Sequence, residues 1–274
     1  MLEQKDKILK KIDYLEKNQM WDTDIDDDVK PKTLLPNKVD YLNKKISSKI
    51  LTKISNRLAI NYFENEIKKG DFIIKDIVGI ENYLSVSGGA IITCNHFSIY
   101  DHYTVYRAIK NYLPKGHNLY KVIKESNYTN FPGLFGFFFR HCNTLPLSSN
   151  SKTMMMFLRA VSELLKNGEK ILIYPEQSLW KNYRKPRPCK NGAFKIATQN
   201  NVPIIPAFIT MDKIDRLDAQ GFNLQEYTLW FLPPIYPQKQ LNVKENTEYL
   251  KEENYKNWVN LYEKVYGVPL TYEK

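Results

Sequence analysis

The sequence predicts an α/β fold, a mostly parallel sheet flanked by helices, with an N-terminal helical extension. Three observations predict it. After about residue 85, short apolar runs alternate with longer stretches whose apolar residues recur at helical spacing, the pattern of strands joined by crossover helices. Before that point the chain is lysine-rich and mostly helical in pattern. A length of 274 residues, 43% of them hydrophobic, is enough to bury one sizeable core. The expected organisation is a basic, mostly helical extension over residues 1–85 and one α/β domain over residues 86–274.

The extension is interrupted at Asp22, Asp24, Asp26, Asp27 and Asp28, followed by Pro31 and Pro36, which reads as a loop. These acids imitate the start of a calcium loop, but Asp27 stands where the sharp turn needs Gly and Thr33 where a bidentate Glu belongs. Across residues 42–67, Ile46, Ile50, Leu51, Ile54, Leu58 and Phe63 recur at helical spacing with Lys and Arg between them. Such a basic amphipathic helix either packs on the core with a solvated outer face or inserts into a membrane. Strands are expected at 90–94, 119–123, 144–147, 170–174, 202–208 and 228–232, with helices at 100–111, 152–167, 192–200 and 247–266. Met154, Met155, Met156, Phe157, Leu158, Val161, Leu164 and Leu165 give the second of these helices a core-facing stripe.

A formal charge of +10 implies an anionic partner: nucleic acid, a lipid head-group surface or a phosphorylated substrate. No nucleic-acid reader motif appears, so nucleic acid is not expected. Cys94, Cys142 and Cys189 are odd in number and show no C-x-x-C, which suggests neither a disulfide framework nor a zinc site and fits a reducing cytoplasm. The opening MLEQKDKILKK lacks the apolar core of a signal peptide, and no apolar run reaches the roughly 18 residues a span requires. Any membrane is therefore expected to be met from one side.

Two stretches carry chemistry. In the segment 94–101, Asn95 and His96 follow a predicted strand and Asp101 opens a predicted helix, at the sheet edge where ligands bind in open α/β folds. A His can take a proton from an alcohol, and a carboxylate on its other ring nitrogen fixes the tautomer and stabilises the imidazolium. The pair is two-thirds of a triad, a substrate hydroxyl replacing the enzyme serine. Spacing alone is weak evidence, and Asp101 or Ser98 capping the helix is the plainer reading. A metal held by His96, Asp101 and His102 is not expected, because these positions do not converge on one side of a helix.

The second stretch, 174–180, follows another strand and offers Glu176, Gln177 and Ser178, with Lys181, Arg184, Lys185, Arg187 and Lys190 close behind. It could hold phosphate oxygens, or it could be a polar loop with a solvated basic tail. Between the two lies the aromatic segment 130–140, ending in Arg140, which either lines an acyl pocket, touches lipid or packs in the core.

With these pieces in order, the sequence resembles the glycerolipid acyltransferases, the family of the 1-acyl-glycerol-3-phosphate acyltransferases, over about residues 79–208. Asn95-His96 through Asp101 matches the N-H-x4-D block, and residues 121–147 with Pro132-Gly133-Leu134-Phe135-Gly136 resemble the second block. Tyr174-Pro175-Glu176 resembles the start of the third, and 190–193 with 202–206 resemble the approach to the fourth and that block itself. The resemblance implies that His96 is the base, Asp101 its orienting partner, and Glu176 with its neighbours part of the acceptor site. It also implies an acyl thioester donor (acyl-CoA or acyl carrier protein), a lysolipid acceptor, no resident cofactor or metal, and a peripheral place on an anionic, cytoplasmic membrane face. Two departures stand out: Leu147-Ser148-Ser149 where the second block ends in a phosphate-binding Arg, and Gln177-Ser178-Leu179 where the third reads Gly-Thr-Arg. Arg140, Arg184 and Lys190 are the candidate substitutes. The rival expectation is a catalytically silent lipid-binding adaptor of the same fold.

Overall fold

The computed structural model describes residues 2–25 and 30–273; Asp26, Asp27 and Asp28 of the acidic break lie outside the described residues. The elements run α1 (Leu2–Lys17), α2 (Ile46–Lys69), β1 (Ile73–Val78), α3 (Ile80–Leu84), β2 (Ala90–Thr93), α4 (Asp101–Ile109), β3 (Leu119–Ile123), α5 (Glu125–Asn130), α6 (Gly133–His141) and β4 (Thr144–Pro146). They continue α7 (Ser151–Lys166), β5 (Lys170–Ile173), α8 (Gly192–Asn200), β6 (Ile204–Leu217), β7 (Asn223–Phe231) and α9 (Val243–Tyr266). The strands form one sheet in the order β1-β7-β6-β2-β5-β3-β4. All neighbours are parallel except β6 and β7, an antiparallel hairpin. The mostly parallel, helix-flanked sheet expected from the sequence is therefore the fold.

The central strands are buried on both faces, as their unbroken apolar runs require. Successive residues of β2 and β5 point to opposite sides: Ile92 and Leu172 pack with Phe63, Phe72, Val105 and Ile109, while Ile91 and Ile171 pack with Phe157, Val161, Leu164 and Phe194. The stripe expected on α7 is thus one wall of the second layer. Met155 and Leu158, read with it, are exposed on the outer side of the helix. Gly89 lets β2 start directly against this wall, since a Cβ there would collide with the Leu165 carbonyl.

Three features depart from the sequence-based expectation. β1 emerges from the stretch read as helical and pairs in parallel with β7 at the sheet edge. Its Lys75 and Asp76 are exposed in mid-strand, which erases any period-2 signal. β6 and β7 run well beyond their expected ends, because the hairpin projects past the core and its outer part, from Asp212 to Leu217, is largely solvated and charged. Finally, α1 and the loop after it do not stand apart: Ile12, Leu15 and Ile25 close around Trp180 of the loop that follows β5.

Candidate active site

β2 and β5 are parallel neighbours, so the chain leaves both at the same edge of the sheet. Asn95, 3% exposed, secures the first exit. Its side-chain amide donates to the Ile209 carbonyl at 3.0 Å and accepts from the Ile209 N–H at 2.8 Å, extending the β2–β6 ladder by one side chain. The backbone can then turn sharply and still satisfy its neighbour.

The turn presents His96, whose Nδ1 lies 2.7 Å from Asp101 Oδ2. Asp101 is fully buried at the start of α4. The same Oδ2 accepts the backbone N–H groups of Phe97 at 3.2 Å and Ser98 at 3.3 Å, and Oδ1 accepts the Tyr174 hydroxyl at 2.7 Å. Burial alone would raise the pKa of this carboxyl, but His96, His102 and the Tyr174 hydroxyl together hold it below its ordinary value. An ionised Asp101 only accepts, so the proton facing it sits on Nδ1 and leaves Nε2 as the free base. The His96 side chain keeps 23% of its surface exposed and stacks on Tyr174, ring centroids 4.0 Å apart and planes within 15°. The imidazole is thus fixed in plane and open at one end. His102, one residue further on, turns its ring edge to Phe63 at 5.1 Å. Burial lowers its pKa to about 4, so it is neutral near pH 7.

Beside this pair, Glu176 is only 2% exposed and both its oxygens are engaged. Oε2 accepts the His96 N–H at 3.0 Å and Arg187 Nη2 at 2.8 Å, and Oε1 accepts the Arg187 N–H at 2.8 Å. Arg187, 1% exposed, also donates to the carbonyls of His96 at 3.3 Å and Trp21 at 2.9 Å and to Ser178 Oγ at 2.5 Å, with its guanidinium 4.6 Å over the Trp180 ring. Ser178 is buried and donates onward to the Trp21 carbonyl at 2.9 Å. Gln177 is exposed and holds the left-handed φ of 67°, at the position where the resemblance led one to expect Gly. The backbone turn is kept although the residue is changed.

The structure thus gathers Asn95, His96, Asp101, Glu176 and Ser178 at one edge. The candidate cations divide. Arg140 on α6 donates to the Phe131 carbonyl at 3.1 Å and the Tyr128 carbonyl at 3.4 Å. Lys190 pairs with Asp22 at 2.9 Å. Among the described residues Arg184 meets the Gln225 amide oxygen at 3.3 Å and the Tyr266 ring at 5.5 Å and no other partner, so it keeps donors to offer. In the sequence Arg187 reads as one of a run of cations; its bracketing by Pro186 and Pro188 is the one hint there that it is held in place. The aromatic segment serves two ends: Phe138 is buried and, with Phe135, packs on Tyr62 of α2, while Phe131 and Leu134 are exposed. Among the described residues, no three His, Cys, Asp or Glu side chains are grouped as a metal site would need.

Residues 76–210 match the family described as Acyltransferase. A relative from Brassica napus, described as 1-acyl-sn-glycerol-3-phosphate acyltransferase BAT2, chloroplastic, is 30% identical over 171 residues, which is 61% of this chain and 47% of the relative. The chain therefore spans about half the length of this relative. Among solved structures, the 1-acyl-sn-glycerophosphate (LPA) acyltransferase PlsC from Thermotoga maritima is similar with a TM-score of 0.48 and 22% identity, over 78% of this chain and 79% of that one. The resemblance read from the ordered motif blocks is borne out.

Proposed function

From the acyltransferase family segment at residues 76–210, we propose that this protein is an O-acyltransferase. It moves a fatty acyl group from a thioester, acyl-CoA or acyl carrier protein, to a hydroxyl of 1-acyl-glycerol-3-phosphate or a related lysolipid, within phospholipid biosynthesis. The observation that carries the reading is the His96 Nδ1 to Asp101 contact of 2.7 Å with Nε2 left open. His96 Nε2 takes the proton of the acceptor hydroxyl as its oxygen attacks the thioester carbon. The tetrahedral adduct collapses with loss of the thiolate, which receives that proton from the imidazolium, while Asp101 holds the ring and offsets its transient charge. The thioester is consumed as a substrate, so the reaction as written uses no resident cofactor.

In this reading residues 86–274 house the chemistry and residues 1–85 attach them to the inner, cytoplasmic face of the cell membrane. What supports the attachment is α2. Ile46, Ile50, Ile54 and Leu58, between 42% and 77% exposed, form a row one helical turn apart, interleaved with Lys45, Lys49, Lys53 and Arg57. An apolar row beside a basic one suits a helix lying in an anionic interface, each cation adding roughly 1 kcal/mol. Among the described residues no helix is long and apolar enough to cross a membrane. For the acceptor phosphate, Arg184 is preferred among the three candidate cations: Lys190 faces Asp22 and Arg140 donates to two backbone carbonyls, whereas among the described residues Arg184 meets one amide oxygen and one ring; Glu176, Gln177 and Ser178 complete the proposed acceptor site.

The test is transfer of a labelled long-chain acyl group from a thioester to a panel of lysophosphatidate, other lysophospholipids and glycolipids. The His96→Ala variant should lose at least about a hundredfold in rate on the accepted substrate. No transfer to any acceptor by either protein, with lipid binding equal in both, would replace the enzyme by a silent lipid-binding adaptor.

A further inference from the structure

A second site lies away from the catalytic pair. Lys49, Lys53 and Arg57 follow one another at i, i+4 and i+8 on α2, one face of the helix over about 12 Å of its length. With Asn56, Asn61 and Asn118 they line a cleft of about 650 Å³. No Asp or Glu lines it, and among the described residues none of the three cations meets a carboxylate. What sets these three apart is that they share one face of a helix and one acid-free cleft. Gly116 and Asn118 precede β3 and Asn143 precedes β4, so the cleft opens at the amino ends of these parallel strands. His96 follows the carboxyl end of β2, at the opposite edge.

We propose that this cleft is an anion site for a phosphomonoester, supplied by a lipid headgroup at the membrane surface. A phosphomonoester carries up to two negative charges and three acceptor oxygens, which suits three cations and several amide N–H donors. The lipid source follows from the neighbouring row. Each cation precedes an apolar residue of α2 by one position, about 100° around the helix. Burying Ile46, Ile50, Ile54 and Leu58 in acyl chains holds Lys49, Lys53 and Arg57 at headgroup depth. This assignment of source rests on the membrane reading of α2; the anion site itself does not.

The experiment measures binding of the full chain to phosphatidylcholine vesicles containing phosphatidic acid, and to vesicles in which phosphatidylserine supplies the same surface charge. Wild type should prefer phosphatidic acid. The K49Q/K53Q/R57Q variant should lose that preference and bind about a hundredfold more weakly, whereas K152Q/K166Q/K195Q, which removes three exposed lysines elsewhere, should keep it. Calorimetric titration with glycerol 3-phosphate forms the lipid-free arm. Saturable binding there that vanishes in K49Q/K53Q/R57Q upholds the anion site and reassigns its occupant to a free phosphate ester. A preference for phosphatidic acid that survives in K49Q/K53Q/R57Q belongs to the catalytic edge and overturns the proposal. Equal binding to both vesicles with no glycerol 3-phosphate binding also overturns it, while leaving acyl transfer and general membrane attachment standing.

Discussion

Asp101 does its work by being charged where charge is costly. It is fully buried, and its ionised form is maintained by His96, two backbone N–H groups and the Tyr174 hydroxyl. Its folded pKa is depressed, so its contribution to stability is present above the unfolded value and disappears as pH falls through the folded one. Tyr174→Phe keeps the stacked ring but removes one of the groups that lower that pKa. The carboxylate of the variant should therefore protonate at higher pH. The acid-side loss of activity should move up accordingly, and kcat should fall by about tenfold with little change in acceptor KM; a pH–rate profile reads both. His96 and Asp101 were legible in the sequence because a strand end and a helix start fix where five intervening bonds of chain can go. Arg187 was not, since burial of a cation depends on Glu176 with Trp180, the His96 carbonyl, and Trp21 arriving from three separate segments.

At the scale of elements, periodicity located α4, α7, α8 and α9, because each keeps an apolar stripe against the core, and α2 through a row of which only Phe63 is buried while Ile46, Ile50, Ile54 and Leu58 are exposed. It could not locate β1, a half-buried edge strand with charges at its centre, nor the solvated length of the β6–β7 hairpin. Here partners on the neighbouring strand, rather than a buried face, supply the reason for being extended. The outward row of α2 yields a prediction of its own. Ile50→Ser with Ile54→Ser removes apolar surface of which about half is exposed, so the free energy of urea unfolding should fall by no more than about 1 kcal/mol. Partition into anionic vesicles should weaken by tenfold or more. Loss of stability without loss of partition would make α2 a packing helix only.

Over the whole molecule, the loop carrying Glu176 and Arg187 is held from outside by both terminal regions. Trp21 stacks on Trp180 at 5.8 Å and meets Tyr272 at 4.5 Å. Trp180 donates to the Thr23 carbonyl at 2.8 Å, and Leu179 N–H to Asp24 at 3.2 Å. Glu16 receives Tyr183 at 2.8 Å, Lys185 at 2.6 Å and the backbone N–H of Glu273 at 2.9 Å. Trp21→Ala should cost roughly 2 kcal/mol in urea unfolding. Amide exchange should quicken across residues 176–190 while β2 and β5 stay protected; unchanged exchange in that loop would show that the terminal contacts do not hold it.

Glu16 and Glu273 meet across 257 positions of sequence. Synthesis makes Glu16 before, and Glu273 after, every strand of the sheet, so the sheet and its two apolar layers can consolidate while the catalytic loop still lacks its outer fastening. Such a chain acquires its architecture before its finished reaction centre. A nascent polypeptide tethered short of residue 272 should therefore resist protease over β2 to β5 yet be cut within residues 176–190.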